Sequence, residues 1–337
     1  MRKSLIWIAG GLLALSLAVV LVAWNWWQWA LKPYAVGPAT QELLTVLPGM
    51  NTRQIASELE NRHLIRNAWV FSYLARTGQV DAKLKPGEYK LSAALSPQDI
   101  INKLLKGPDI EILKVTIPEG FTTEQIITTL VQKGLGTKEA YAKVMAADTF
   151  PYSFLKDAPE GPHRLDGFLF PDTYYLAKDM TPHAVIDKML ERFGKEITPD
   201  TESQLKAMKF SIRQWVILAS IVEKEAVKET DRPLIASVFL NRLAKKMKLE
   251  SCATIQYILG TPKPKLYDKD LQIPSPYNTY LHAGLPPGPI ASPGHASLDA
   301  VLHPAQSDYL FFLAKSDGYH VFAKTFEEHL ENQRKYQ

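Results

Sequence analysis

Glu223 is the residue whose surroundings in the sequence best suit acid–base chemistry. It falls in the run 215–226, whose apolar pattern predicts a helix. Its neighbours three and four positions away on that helix are Ala219, Ser220, Ala226 and Val227. None is basic, and burial among them would disfavour the charged carboxylate. A carboxylic acid that stays protonated near neutral pH can donate a proton to a leaving group. The alternative is a glutamate near a helix end that reaches solvent beside Lys224.

Other catalytic arrangements find little support in the sequence. The 8 histidines contain no pair with the spacing of a zinc-binding helix, and Cys252 is the single cysteine. Cys252 is better explained as a small buried apolar residue than as a nucleophile. No serine nucleophile elbow and no phosphate-binding glycine loop occur. We therefore predict carboxylic acid chemistry with no metal and no cofactor, and a metal site built from distant histidines is the alternative.

A loop rich in proline and glycine, residues 274–294, is predicted to form a binding surface. Its composition excludes a regular helix or strand, and a long rigid loop that carries polar and aromatic side chains is a common binding element. Tyr277, Asn278, Thr279 and Tyr280 lie near its centre. The alternative for each of these residues is packing within the loop. A net charge of +4 without a dense basic tract gives no indication of nucleic acid binding.

The N-terminus predicts a membrane anchor. Leu5–Trp24 has no charged residue, and about 20 helical residues span the hydrocarbon core of a bilayer. Arg2 and Lys3 precede it, so the N-terminus should be cytoplasmic. Tryptophans follow it, as in an aromatic belt: Trp24, Trp26, Trp27 and Trp29. A cleaved signal peptide is the alternative, but its apolar region is usually shorter. We assign residues 1–31 to the cytoplasmic tip and anchor, and 32–45 to a linker.

Two short strand–helix patterns follow the linker. The positions Gly49, Thr52, Gln54, Ile55, Leu59 and Leu64 recur 71 residues later as Gly120, Thr123, Gln125, Ile126, Leu130 and Leu135. Both copies combine a β-prone stretch, a turn with glycine and a capped helix. Two copies are too few for a solenoid. They predict two small modules that bind an extended polymer or pack on a neighbour.

Several motifs occur in order along the chain. They are Glu119-Gly120, 167–174 (GFLFPDTY), 219–225 (ASIVEKE), 236–243 (ASVFLNRL), 249–257 (LESCATIQY), 275–280 (SPYNTY), 284–290 (GLPPGPI), 293–294 (PG) and 320–325 (HVFAKT). With these motifs and the N-terminal anchor, the sequence resembles the endolytic murein (lytic) transglycosylases of the MltG/YceG-like family. Cys252 is a departure, because many members carry aspartate there. We therefore invoke no second catalytic carboxylate.

The resemblance implies an α+β fold with an N-terminal transmembrane helix, small LysM-like modules and an α+β catalytic domain. The LysM-like module would cover residues 46–108 and the catalytic domain 109–337, with a second LysM-like strand–helix unit at 110–145. Glu223 would occupy the catalytic position. The glycan cleft would include Thr254, Gln256, Tyr257, Tyr277, Asn278, Thr279 and Tyr280. Glu223 would then lie in a cleft lined by Tyr277, Asn278 and Gln256, whereas Glu225 would pair with Lys228 on the helix surface.

The implied reaction cuts the bond between N-acetylmuramic acid (MurNAc) and N-acetylglucosamine (GlcNAc) within nascent peptidoglycan strands. Glu223 would protonate the glycosidic oxygen, and the acetamido group of the substrate would stabilise the positive centre. Glu223 would then take the proton of the C6 hydroxyl, which closes a 1,6-anhydro ring without water. The expected partners are penicillin-binding synthases, and the expected location is the inner membrane with a periplasmic catalytic domain. The alternatives are a non-catalytic peptidoglycan-binding or scaffold protein, in which Glu223 is a surface residue, and a metal-dependent hydrolase.

Overall fold

The described part of the chain divides into two compact units. The computed structural model describes residues 2–37 and 40–336. The first unit comprises Met1–Lys114 and Tyr175–Asp179, and the second comprises Val115–Tyr174 and Met180–Gln337. Helices and small two-stranded sheets occur in this part of the chain. This arrangement confirms the predicted α+β class.

A long apolar helix, α1 (Arg2–Ala30), opens the chain. Its segment Gly11–Ala30 has 20 residues, and the most apolar stretch of this segment has a mean hydropathy of 1.5 and is not buried against protein. A helix of that length and composition suits the roughly 30 Å hydrocarbon core of a bilayer. Trp24, Trp26 and Trp29 are exposed near its end. The helix is therefore a candidate membrane span, consistent with a membrane-anchored protein.

The end of α1 packs on the helix α3 (Ala68–Thr77) of the same unit. The ring of Trp27 meets the rings of Trp69 and Tyr73 edge-on, with centroid distances of 6.2 and 5.3 Å. The guanidinium of Arg66 lies 4.9 Å from the ring centroid of Trp29. The segment predicted as an anchor therefore also contributes side chains to the fold that follows it.

Two truncations should reveal this contribution. Removal of residues 1–23 retains Trp27 and Trp29, whereas removal of residues 1–31 deletes both. We expect the shorter protein to lose about 1–3 kcal/mol of unfolding free energy, because one aromatic pair contributes about 0.5–1.5 kcal/mol beyond its buried area. Urea unfolding of both purified proteins measures the difference. Equal midpoints and equal slopes would show that the two tryptophans do not stabilise the first unit.

The globular part of the first unit has the order strand, helix, helix, strand, helix. The strands β1 (Gln41–Val46) and β2 (Gly87–Ser92) are antiparallel, with Leu44 opposite Tyr89. Beside them lie α2 (Thr52–Asn61), α3 and α4 (Pro97–Lys106). Asn51 and Ser96 start α2 and α4 with capping boxes. The side chains that form the core are Leu44, Ile55, Leu59, Phe71, Tyr89, Ile100 and Leu104.

A second strand–helix–helix–strand order follows. The strand β3 (Ile112–Thr116) pairs with β4 (Thr173–Ala177), and α5 (Thr123–Gln132) and α6 (Lys138–Ala147) lie between them in the chain. The repeat noticed in the sequence at 110–145 therefore has a second strand much later. The irregular residues 167–172 lead directly into β4. Thr122 caps α5.

The rest of the second unit is mainly helical. Its elements are α7 (Pro182–Gly194), α8 (Pro199–Met208), α9 (Ile212–Glu225), α10 (Arg232–Ala244), α11 (Cys252–Leu259), α12 (Asp268–Leu271), α13 (His295–Leu302), β5 (Phe311–Ala314), β6 (His320–Ala323) and α14 (Phe326–Tyr336). Eight successive residues of α9, from Trp215 to Val222, are buried. A helix that is apolar on all sides belongs in a core, and α9 packs against α10, α11 and α13.

The strands β5 and β6 form an antiparallel hairpin near the C-terminus. The helix α9 ends at Glu225, one residue before the end of the run 215–226 that predicted it. Ala226 has an extended backbone conformation, and a short 3-10 turn, Glu229–Asp231, leads into α10. This early end brings α10 back beside the last turn of α9.

Candidate active site

Glu223 lies in the last turn of α9. A capping box between Ser211 and Gln214 fixes the start of this helix. Trp215 donates a hydrogen bond of 2.9 Å from its indole nitrogen to the carbonyl of Leu298 in α13. Buried packing and this bond hold α9 against α13. The Glu223 side chain is only 7% exposed, so it is not the surface residue of the non-catalytic alternative.

Three donors surround the Glu223 carboxylate. The Gly294 backbone N–H lies 3.1 Å from Oε2, and the Ser297 hydroxyl lies 2.7 Å from the same oxygen. The guanidinium of Arg232 lies 3.4 Å from Oε1. Arg232 also donates to Ser297 through Nε at 3.0 Å. The carboxylate therefore belongs to a network formed by α9, α10 and the start of α13.

This network places one cation and two further hydrogen-bond donors against the Glu223 carboxylate. Arg232 supplies an opposite charge, and hydrogen bonds to a carboxylate from such donors are stronger than those between neutral groups. The N-terminus of α13 adds the positive end of a helix dipole. The neighbours of Glu223 on its own helix are not basic, as the sequence indicated, and its basic partner is Arg232, nine residues later on α10.

Glu119 is a second carboxyl in this region, and the sequence analysis did not select it. Its loop is fixed by backbone bonds: Gly120 N–H donates to the Ser292 carbonyl at 2.9 Å, and Ser292 N–H donates to the Phe121 carbonyl at 2.8 Å. Gly120 has a φ of +73°, which favours glycine. A side chain added at Gly294 would place its Cβ 2.0 Å from Glu119 Oε1. Glu119 therefore packs directly over Gly294.

The two carboxyls have different surroundings. Glu119 has no side-chain hydrogen bond within the described part of the chain, and the residue is exposed. Partial burial of its carboxyl, followed by the negative charge of Glu223, raises the pKa of Glu119. Arg232 and His295 oppose this shift. Its position in the Glu119-Gly120 motif was the sequence feature that could have identified Glu119 as a candidate.

Glu225 does not lie free on the helix surface. Its carboxylate accepts a short hydrogen bond from the Ser251 hydroxyl and one of 3.3 Å from the Ala253 N–H. Among the ion pairs of the described residues, none joins Glu225 to Lys228, so that predicted pair is wrong. The reason is that Glu225 instead caps the start of α11. This contact orients the helix that carries Thr254, Gln256 and Tyr257.

Substitutions at Glu225 should separate its capping role from its charge. We expect Glu225→Ala to cost about 1–3 kcal/mol, because it leaves buried donors at Ser251 and Ala253 unpaired. Glu225→Gln should cost less, since the amide oxygen can still accept both bonds. Urea unfolding measures both values. Equal losses for the two variants would contradict a capping role.

A cleft of about 690 Å³ lies in the second unit. Its walls include Gln256 and Tyr257 of α11 and Tyr277 of the predicted binding loop. It reaches α9 at Lys224, the residue next to Glu223. Neither Glu223 nor Asn278 is part of its lining, so this cleft differs from the one predicted around Glu223. A polymer in the cleft would pass the last turn of α9.

Tyr257 and Tyr277 form an aromatic pair in the cleft wall. Their ring centroids are 4.9 Å apart, and the planes are inclined by 43°. Burial raises the pKa of both phenols, so both stay neutral hydrogen-bonding groups. Gln256 binds the backbone of Lys263 with both its amide atoms, at 2.8 Å each. Of the predicted binding residues, the two tyrosines are therefore best placed to contact a sugar.

The other predicted binding residues organise the loop. Asn278 is fully buried and donates to the carbonyls of Leu271 and Ile273 at 3.0 and 2.8 Å. Thr254 and Thr279 are buried, and their hydroxyls lie 2.9 Å apart. Because these three side chains are buried, a sugar cannot contact them directly in this structure. The prediction of glycan contact is therefore best limited to residues that line the cleft.

Cys252 and Tyr280 form a separate contact. The Sγ of Cys252 lies 3.1 Å from the Tyr280 hydroxyl. Burial raises the pKa of the Cys252 thiol, although the residue as a whole is exposed and not the buried apolar residue that the sequence predicted. A raised pKa keeps the thiol protonated, which is unfavourable for a nucleophile.

Asp166 is a further cleft residue that the sequence analysis missed. It accepts a hydrogen bond of 2.7 Å from the Thr123 hydroxyl and lies 2.9 Å from His163 Nδ1. Burial raises its pKa. It lies in the same cleft wall as Thr123 and His163, and its partners identify it as a fixed polar group there.

Three of the late histidines pair with carboxylates. His320 bonds to Asp231 and His295 to Glu196, whereas His303 bonds to Asp299 and also lies 3.8 Å from Asp200. Within residues 2–37 and 40–336, no group of three or more His, Cys, Asp or Glu side chains could hold a metal ion. These pairings therefore give the metal-dependent alternative no donor set.

The fold and the site define an enzyme-like α+β protein with a buried carboxylate network beside a large cleft with aromatic walls. The chain belongs to the YceG-like family, whose model matches residues 44–335. It is 34% identical over 317 residues to an endolytic murein transglycosylase of Bacillus subtilis, covering 91% of this chain and 88% of the relative.

Two further relatives support this assignment. An endolytic murein transglycosylase of Streptococcus pneumoniae D39 is 32% identical over 311 residues, which cover 84% of this chain and 56% of that protein. The crystal structure of a yceG-like protein from Listeria monocytogenes has a TM-score of 0.60 and 35% identity, covering 87% of this chain and 98% of the other.

Proposed function

We propose that this protein is a peptidoglycan lytic transglycosylase that cleaves the MurNAc–GlcNAc bond within glycan strands and leaves 1,6-anhydroMurNAc ends. The observation that carries the proposal is Glu223, a buried carboxylate whose helix reaches the cleft at the next residue. The names of the relatives from Bacillus subtilis and Streptococcus pneumoniae support the substrate and the reaction.

The reaction requires one proton to be delivered and one to be removed. A protonated group must reach the glycosidic oxygen, and a base must take the proton of the C6 hydroxyl that closes the anhydro ring. The acetamido oxygen of MurNAc can stabilise the positive centre between these steps. The donors around Glu223 make it a carboxylate suited to the second step. Arg232 then offsets the negative charge of the Glu223 carboxylate, and Ser297 fixes the orientation of that carboxylate.

The cleft suits a sugar polymer. Tyr257 and Tyr277 offer flat apolar faces with polar hydroxyls, which is the combination that sugar rings bind. A cleft that is open at the protein surface admits the middle of a strand, as endolytic cleavage needs. We propose that the strand lies against these tyrosines and passes Lys224 beside the reaction centre.

The first unit fits a LysM-like glycan-binding module. Its strand–helix–helix–strand order, with an antiparallel pair of strands, supports this proposal. The second strand–helix–helix–strand order, from β3 to β4, would then be a diverged copy. Binding of purified glycan strands to a protein that carries Glu223→Gln would test this role without cleavage.

The apolar helix α1 would anchor the protein in the inner membrane, with residues 1–31 as tip and anchor and the catalytic part in the periplasm. Its exposure and its length support this location. Arg2 and Lys3 would keep the N-terminus in the cytoplasm. This location would bring the enzyme to nascent strands made by penicillin-binding synthases, and cleavage there would terminate strand elongation. Protease treatment of spheroplasts should digest the second unit if the orientation is correct.

A length assay tests the proposed endolytic reaction. Purified protein in detergent is incubated with long uncross-linked glycan strands, and the products are separated by size. Endolytic cleavage should give intermediate lengths early in the reaction. Release of only disaccharides from the first time point would overturn the endolytic assignment, and no cleavage by well-folded protein would overturn the enzyme assignment.

A further inference from the structure

We propose that Glu119 is a second catalytic carboxyl, which delivers a proton to the glycosidic oxygen while the Glu223 carboxylate serves as the base. The inference rests on the proposed transglycosylase function and deepens it. A mechanism with Glu223 as the single acid does not account for the contacts of its carboxyl. Three donors, one of them the Arg232 guanidinium, point at the two oxygens of Glu223, so an acid proton on either oxygen would compete with them.

The hydrogen bonds of the two carboxyls differ. Glu223 accepts bonds from Gly294, Ser297 and Arg232. Glu119 accepts none from any side chain or backbone group among residues 2–37 and 40–336. Hydrogen bonds to the charged form favour it, and the Glu119 carboxyl gains none of these from the described residues. A pair of carboxyls whose environments differ in this way divides into an acid and a base.

Gly294 brings the two carboxyls together. Its N–H donates to Glu223, while its Cα faces Glu119 so closely that an added Cβ would lie 2.0 Å from Glu119 Oε1 and 2.1 Å from Cδ. The φ of Gly294 is −80°, which any residue can adopt. The backbone conformation therefore does not require glycine here, and the space that Glu119 occupies does.

Charges near Glu119 favour its protonated form on balance. Its pKa is raised first by desolvation and second by the negative charge of Glu223. The charged and titratable groups around it, from α9, the 3-10 turn, α10 and α13, are Glu223, Lys224, Glu229, Arg232 and His295. Because the folded state binds this proton more tightly than the unfolded chain, ionised Glu119 lowers stability as pH rises through its raised pKa. Such a loss of folding stability is typical of a residue at a functional site.

The proton balance closes over one turnover. Glu119 gives its proton to the GlcNAc O4 as the bond from MurNAc C1 to O4 breaks, and the acetamido oxygen bonds to C1. The C6 hydroxyl then attacks C1, the acetamido bond breaks, and the hydroxyl proton passes to the Glu223 carboxylate. Transfer of that proton from Glu223 to Glu119 restores the starting state. No water and no other reactant is consumed.

A leaving-group experiment tests the assignment with the full-length protein in detergent. Two substrates are compared: a native glycan strand, and a MurNAc-containing glycan whose leaving GlcNAc is replaced by an activated phenol. A phenol with a low pKa leaves without protonation, so it bypasses the general acid. We expect Glu119→Gln to lower turnover of the native strand about 100-fold or more, and turnover of the aryl substrate by less than about tenfold. Glu223→Gln should lower both.

The pH profile gives a second readout. In the native protein, activity on strands should fall at high pH as Glu119 ionises, and the same protein should lack this limb on the aryl substrate, which needs no general acid. Gly294→Ala should lower strand cleavage through displacement of Glu119. Glu331→Gln, on the exposed α14, is the matched control with native activity.

Each result decides the proposal. Equal losses on both substrates for Glu119→Gln, or near-native cleavage of strands, would overturn the acid role of Glu119. A well-folded native protein that cleaves neither substrate would instead overturn the proposed function. Circular dichroism and strand binding by Glu119→Gln establish that the variant is folded.

Discussion

Glu223→Gln is expected to lower strand cleavage by about 100-fold or more, the usual contribution of general acid–base catalysis. The amide can still accept bonds from Gly294 and Ser297, so fold and strand binding should be retained. It can neither carry the negative charge nor take the proton of the C6 hydroxyl. Single-turnover cleavage of purified strands measures the loss.

Glu225→Gln is the matched control for this substitution, because it makes the same change on the same helix. It should retain most of the activity, since Glu225 contacts α11 and not the network of Arg232 and Ser297. Cleavage by Glu223→Gln at a rate near that of the control would remove Glu223 from the mechanism.

Arg232→Met is expected to destabilise the second unit by about 3 kcal/mol, the lower part of the range for breaking one side of a buried ion pair. The lower value is appropriate because Arg232 and Glu223 lie 3.4 Å apart and retain 10% and 7% side-chain exposure. The variant leaves the Glu223 carboxylate without its cation and Ser297 without one donor. Activity should fall as well, because the carboxylate loses its fixed orientation.

A double variant isolates the cause of this destabilisation. In the Glu223→Gln background the neutral amide needs no cation, so Arg232→Met should cost about 0.5–3 kcal/mol less than in the native protein. Urea unfolding of the four proteins of this cycle gives the coupling. Additive losses would show that Arg232 acts through packing alone and that the ion pair does not stabilise the fold.

The sequence predicted most of the elements that carry the site. The apolar run of 215–222 identified α9 because burial on all sides of a helix leaves a strong pattern. The repeated pattern of a turn with glycine and a capped helix identified α2 and α5. These features depend on residues close in the chain, which is why sequence reasoning could find them.

Features that depend on distant residues were harder to predict. The contact of Glu223 with Arg232 requires the early end of α9, and its contacts with Gly294 and Ser297 require the return of a segment about seventy residues later. Glu119 is separated from Glu223 by more than a hundred residues. No periodicity or local motif encodes such contacts, so the helix neighbours of Glu223 could not indicate Arg232, Gly294 or Glu119.

The predicted binding loop shows the same limit. Composition identified 274–294 as rigid and irregular, but it could not distinguish side chains that face the cleft from those that hold the loop together. Tyr277 faces the cleft, whereas the adjacent Asn278 bonds the loop backbone. The distinction depends on the path of the loop, which prolines constrain but do not determine.

The most direct test of the proposed chemistry is strand cleavage in water enriched in oxygen-18, with mass analysis of the new ends. Closure of the ring by the C6 hydroxyl consumes no water, so the ends should be 1,6-anhydroMurNAc without the heavy isotope. Reducing MurNAc ends that carry one oxygen-18 would show that water attacks the anomeric carbon, and would contradict the proposed transglycosylase mechanism.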